Sequence, residues 1–134
     1  MFRADDAGKL LLRLMLGILM LMHGVNKLVN GIDGINAIVL ANGLPQWVAY
    51  GVLVGEVLAP ALIILGVLTR VAALVVAFNM VIAVYLAHAH QLLQLSKTGG
   101  WILELQGMFF FSALVIALLG AGKYSFGGTR GRFN

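Results

Sequence analysis

Four stretches of this chain, residues 10–28, 47–68, 71–90 and 101–119, run close to twenty residues with almost no charge, and a soluble core of 134 residues could not bury them all. A helix rises about 1.5 Å per residue, so twenty residues match a hydrocarbon core about 30 Å thick. The runs are continuously apolar rather than alternating, and four spans are too few to close a barrel, so helices are expected. Composition agrees, with 61% of residues hydrophobic and 10% charged, against roughly 45–50% and 25% in a soluble domain. The expected fold is a single all-α domain over residues 1–134, an integral membrane bundle of four transmembrane helices whose main partner is the lipid bilayer. The formal charge of +4 then belongs to topology, and no nucleic-acid partner is expected.

The connections refine this reading. Residues 30–46 are punctuated by Gly, Asn and Pro, yet Ile32, Ile35 and Ile38 keep one side apolar. This predicts a short interfacial helix between the first and second spans. GVLTR at 66–70 is a tight turn, so the second and third spans form an antiparallel hairpin, while QLLQLSKTGG at 91–100 is polar and ends just before Trp101. The two ends and the second connection carry Arg3, Lys9, Arg13, Arg70, Lys123, Arg130 and Arg132, and the other two connections carry only Lys27 and Lys97. By the positive-inside rule both termini are cytoplasmic, which puts Trp47 and Trp101 at the outer interface that indole rings favour. Arg3 and Lys9 ahead of an apolar run also suit a cleaved leader. Arg13 interrupts that run and no small-x-small site precedes His23, so a span is expected instead. With no cysteine in the sequence, disulfides, Cys-ligated metal centres and thiol relays from this chain are excluded.

Polar residues inside the spans are the candidate site. With Arg13 at zero on a helix turning about 100° per residue, Lys9 and Lys27 fall near 320°, Met20 near 340° and His23 near 280°. Such a stripe should face the other helices, with Lys27 snorkelling outward at the span's end. Glu56 lies nine residues past Trp47, about 13 Å deep and near the bilayer middle, which makes it the costliest residue in the chain. Glu104 follows Trp101 by three residues and is shallow; Asn79 and His90 share a helix face while His88 points elsewhere. The expectation is one polar chamber open to the outer side, with His23, Lys27, Glu104 and His90 at similar depth and Glu56 below them. Blander roles are also expected. Carboxylates and bases pair to fix helix rotation, one interhelical hydrogen bond accounts for Asn79, and Gly51 and Gly55 form a GxxxG contact. The scattered methionines are packing residues, and Arg13 and Arg70 anchor at the interface.

Taken in order, RLMLGILMLMHGVNKL, ANGLP, Glu56, GVLTRVAAL, WILEL and GAGKYS resemble the DoxX family, over most of the chain from Arg13 to Ser125. The resemblance implies a four-helix protein of the bacterial inner membrane or an archaeal membrane. The family is named for components associated with a terminal quinol oxidase and with thiosulfate:quinone oxidoreduction, and relatives are linked to redox-stress complexes with soluble partners. Two departures stand out. Ala59 and Pro60 occupy the place of a usual Gly pair after the glutamate, and the terminal YSFGG lacks the usual Asp. Pro60 cannot donate to the carbonyl of Glu56, so a kink is predicted there.

The function this suggests is a membrane redox component that binds a quinone or quinol in the outer half of the bundle. Quinone chemistry moves two electrons and two protons, and imidazole and carboxylate can hydrogen-bond ring oxygens and exchange protons near neutral pH. His23 and Glu104 would contact the head group, Lys27 would stabilise it electrostatically, and Glu56 would hold or relay a proton. Trp101, Met108 and Phe111 would line the apolar slot. A redox partner protein must supply the electrons, and whether this chain is itself an enzyme or a subunit of an oxidoreductase is left open. Three alternatives stay open beside it. His23 and His90 could ligate haem, or with Glu104 a copper or zinc ion, although the spacing forms no metal motif. The chain could be a non-catalytic scaffold for a redox enzyme. Glu56 beside a broken helix also suits a proton-coupled carrier, which would need a homo-oligomer.

Overall fold

The structure, a computed structural model, describes residues 3–134. Its helices are α1 (Ala4–Asn30), α2 (Asp33–Ala41), α3 (Trp47–Leu65), α4 (Thr69–Gln91) and α5 (Glu104–Leu119). Of these, α1, α3 and α4 are long and apolar enough to cross a membrane, and α5 is an apolar helix of 16 residues. Among the described residues the extended backbone amounts to an isolated bridge between Leu95 and Trp101. α5 begins after Trp101 rather than at it, because Trp101 closes the preceding loop. Its indole Nε1 donates to the carbonyl of Leu92 at 2.8 Å, and Ser96 N donates to the Gly100 carbonyl at 2.6 Å.

Apolar side chains point outward in helical stripes. On α1 the exposed residues Leu11, Met15, Ile18, Met22, Val25 and Val29 follow one another at three- and four-residue steps, and on α4 Val71, Leu74, Phe78, Val81 and Tyr85 do the same. In water such patches would drive association, whereas in lipid they are the solvated face. Lipid tails are as apolar as leucine, so close packing and polar contacts must hold the bundle together. The core is accordingly rich in small residues, with Ala72, Ala73, Ala77 and Ala113 buried beside Met20, Ile63 and Ile116.

Glycines set the closest approaches. A Cβ at Gly17 would lie 2.5 Å from Ile64 Cγ1, one at Gly24 would collide with the backbone carbonyl of Glu56, and one at Gly55 would lie 2.5 Å from Asn79 Cγ. α1 and α3 therefore run antiparallel in contact, with Gly24 level with Glu56 and Gly17 level with Pro60 and Ile64. The expected Gly51–Gly55 pair is corrected by this arrangement: Gly55 meets Asn79, while a Cβ at Gly51 would meet nothing within 4 Å. Asn79 differs from expectation too. Its buried Nδ2 has no hydrogen-bond partner, so the residue packs over Gly55 instead of bonding between helices.

Where the kink is predicted, the helix holds a π turn. Residues Val54–Leu58 are wound as a π-helix, in which the Ala59 N–H bonds back to the Val54 carbonyl, and Pro60 follows in the next turn. Widening the turn ahead of a proline relieves the clash of its ring with the carbonyl four residues back. A second π segment, Val84–His88, interrupts α4.

At the opposite end of the bundle, Arg13 is a lock rather than the interface anchor expected. It is 1% exposed, and its guanidinium donates to four carbonyls, those of Ile63 and Ile64 at the end of α3 at 2.9 Å and those of Ala121 and Tyr124 at 2.8 Å. Arg70 Nη1 similarly caps the last turn of α5 through the carbonyls of Ala117 and Leu118, both at 2.8 Å. Asn134 Oδ1 accepts from the backbone N–H and hydroxyl of Thr69 at the start of α4. Helix-end groups that no helix can satisfy are thus paired by side chains from distant positions.

Candidate functional site

Two charged groups of the bundle, one on α1 and one on α3, meet directly. Lys27 Nζ and Glu56 Oε2 form an ion pair, the salt bridge found among the described residues, and the Glu56 side chain is 8% exposed against 24% for Lys27. The contact follows from two features. Gly24 lets α1 and α3 touch at the level of Glu56, and helical side chains tilt toward the N-terminus of their own helix. On α1 that tilt carries the Lys27 stem back into the bundle, and on antiparallel α3 it carries Glu56 toward Lys27. The outward snorkelling expected of Lys27 is corrected accordingly.

Beside the pair lies a cavity of about 280 Å³ lined by Met20 and His23 of α1, Ile35 and Ile38 of α2, and residues of all three remaining helices. His23 packs edge-on against Phe109 of α5, with ring centroids 5.8 Å apart and planes at 84°. His88, at the end of the second π segment, also lines the cavity. Its Nδ1 is 2.9 Å from Gln91 Oε1, so Nε2 is the ring nitrogen left for a ligand. π segments recur at functional sites, and here one carries Glu56 and the other His88. Gln106 of α5 supplies an amide to the same cavity. The arrangement offers a cation, a carboxylate, two imidazoles and an amide in an otherwise apolar hollow.

Of the residues named from the sequence, the structure brings together His23, Lys27 and Glu56. The single chamber that was to include Glu104 and His90 is corrected. Glu104 is exposed and lies over Gly100, where a Cβ would sit 2.8 Å from its Oε2. Glu104 opens a helix, so the same N-terminal tilt that turns Lys27 inward turns Glu104 away from the bundle. His90 is exposed and lies outside the cavity, so the His23–His90 pair considered for haem is not brought together. Trp101 and Phe111 line a separate apolar cavity of about 400 Å³ between α4 and α5. Met108, 67% exposed, belongs to the outer stripe of α5. Among the described residues no three His, Asp or Glu side chains gather closely enough to hold a metal ion.

Gln106 and Gly24 were missed from the sequence, and His88, expected to point away from the face shared by Asn79 and His90, lines the cavity where His90 does not. Gly17 and Gly24 lie about 40° and 20° from Arg13 on the helix wheel, so the same phase calculation that selected the polar stripe could have marked them as its contact face. His88 escaped because the π segment rotates it relative to a regular helix.

Residues 8–89 match the sequence profile of a family described as DoxX, a region that includes Arg13, Gly24, Lys27, Glu56 and His88. A protein of Bacillus subtilis (strain 168) named "Putative oxidoreductase CatD" is 30% identical over 84 residues, which cover 63% of this chain and 62% of that relative. The match thus spans less than two thirds of the relative's length. No solved structure matches the chain.

Proposed function

This chain belongs to the DoxX family and is a multi-pass membrane protein, and we propose that it is the quinone-binding membrane component of an oxidoreductase system. The observation that carries the reading is the Lys27–Glu56 pair set in the wall of a mostly apolar cavity. A quinone head is an apolar ring with two carbonyl oxygens, and reducing it to the quinol takes two electrons and two protons. In the proposed site Lys27 donates to one oxygen and stabilises the negative charge that builds there on reduction. Glu56, whose own charge Lys27 balances, passes a proton to or from that oxygen, and His88 Nε2 or His23 serves the other. Electrons come from a separate redox protein, because this chain offers no thiol and no recognisable flavin or haem motif. The name of the Bacillus subtilis relative supports an oxidoreductase setting.

In the same reading α5 completes four spans and α2 lies at the outer interface. The Arg13 end then faces the cytoplasm of a prokaryotic cell, since Lys9, Arg70, Lys123, Arg130 and Arg132 accompany it. The test is to release the protein from quinone-containing membranes in mild detergent and to quantify co-purifying quinone by mass spectrometry. Wild type is expected to retain quinone, and Glu56→Gln and Lys27→Met to lose most of it. A wild-type protein that neither retains quinone nor takes up added quinone rejects the proposal.

The direct pairing of the two charges favours one second reading, a non-catalytic scaffold for a redox enzyme in which Lys27 and Glu56 satisfy only each other. Replacing both with apolar residues while the cellular phenotype persists would select it.

A further inference from the structure

The cavity beside the ion pair shares part of its wall with its neighbour. Met80 of α4 and Gln106 of α5 line both the cavity of about 280 Å³ and the apolar one of about 400 Å³. The two divide the chemistry sharply. Lys27, Glu56, His23 and His88 all belong to the first, whereas the second has no charged side chain and is walled by residues such as Val81, Val84, Trp101 and Phe110. The second also opens on the lipid-facing side, where Val81, Tyr85 and Phe111 are 49%, 67% and 60% exposed.

The geometry points to a ligand of two parts: a polar ring held in the first cavity, and a long alkyl or isoprenoid tail that passes Met80 and Gln106 and leaves through the second cavity into the bilayer. This rests on the first cavity being the head-group site. The division follows from solvent chemistry. A water-soluble substrate or an ion gains nothing from an apolar passage toward lipid, while a tailed amphiphile can enter sideways without leaving the membrane. Gln106 stands where head and tail join and can donate its amide N–H to a ring oxygen. Met80, unbranched and flexible, can yield as the tail slides past.

The test uses the full chain in detergent micelles and two probes, a benzoquinone bearing a decyl tail and the same ring bearing a methyl group in its place. Ala89→Trp and Val81→Trp each place an indole at an exposed position that lines the second cavity and not the first. Wild type is expected to bind the decyl probe about fivefold more tightly than the methyl probe after correction for micelle partition. Each variant that remains monodisperse should bring that ratio close to one while leaving methyl-probe affinity unchanged. A ratio near one in wild type, or an unchanged ratio in both variants, overturns the tail passage while the head-group site stands. If neither probe binds wild type, the head-group site fails and the passage fails with it.

Discussion

Gly24 of α1 lies against the backbone carbonyl of Glu56 on α3, at a distance that leaves no room for a methyl group. That carbonyl is the one Pro60 cannot serve, because proline has no N–H to donate four residues back. The π turn at Val54–Leu58 sits at the same level. Lys27, three residues beyond Gly24, then reaches the Glu56 carboxylate. Gly24, Lys27, Glu56 and Pro60 thus act as one device in which close backbone approach sets the geometry of the charge pair.

The glycines should therefore separate by contact and not by motif. Gly24→Ala is expected to cost about 1–3 kcal/mol, the usual range for overpacking, and to weaken the ion pair by pushing α1 from α3. Gly55→Ala should behave similarly through Asn79, whereas Gly51→Ala, with nothing within 4 Å, should be neutral or slightly stabilising. Thermal unfolding of the three variants in one detergent checks the order. Equal effects at Gly51 and Gly55 would contradict the packing described.

Breaking the charge pair should hurt more than erasing it. Glu56→Met or Lys27→Met alone leaves a desolvated partner, a loss near the lower end of about 3–5 kcal/mol because Lys27 keeps some exposure. The double variant Lys27→Met, Glu56→Met should recover much of that stability while losing any ligand that needs the charges. A double-mutant cycle on thermal midpoints measures the coupling, and additive losses would argue against a direct pair.

Arg13 should not tolerate lysine. A guanidinium spreads its donors in a planar fork and here serves four carbonyls from two segments, while an ammonium cannot reach all of them. Losing two or more such bonds, at about 1.5–3 kcal/mol each, should lower the unfolding midpoint of Arg13→Lys markedly. It should also speed proteolysis within residues 120–134, which those bonds tie down. Digestion at the wild-type rate would show that the lock is not what holds this segment.

Much of this arrangement was legible in the sequence, and what was not has a physical cause. Apolar run length marked α1, α3 and α4, and helical phase turned Arg13 and Met20 inward, where both are 1% exposed. Depth counted along the chain failed for Lys27 and Glu104, because a long side chain occupies a level about a turn from its own Cα, in a direction set by helix polarity. His88 could not be placed from residue type. The segment from Val71 to Gln91 contains neither proline nor glycine, so nothing local announces the π turn that delivers it to the cavity. Arg13 looked like an anchor because its four acceptors are backbone carbonyls, which carry no sequence signal.

Ligand retention should then divide the histidines and glutamates by cavity rather than by depth. His88→Ala and His23→Ala, which remove cavity walls, are each expected to reduce quinone retention severalfold. Glu104→Gln and His90→Ala, both at exposed positions outside it, should retain quinone at the wild-type level. His90→Ala also serves as a control for His88→Ala, since the two lie in the same helix two residues apart and share any general effect on the end of α4. Quantifying quinone against protein for the four variants decides it. Loss at Glu104 with retention at His88 would move the site to the loop side of α5 and reverse the assignment.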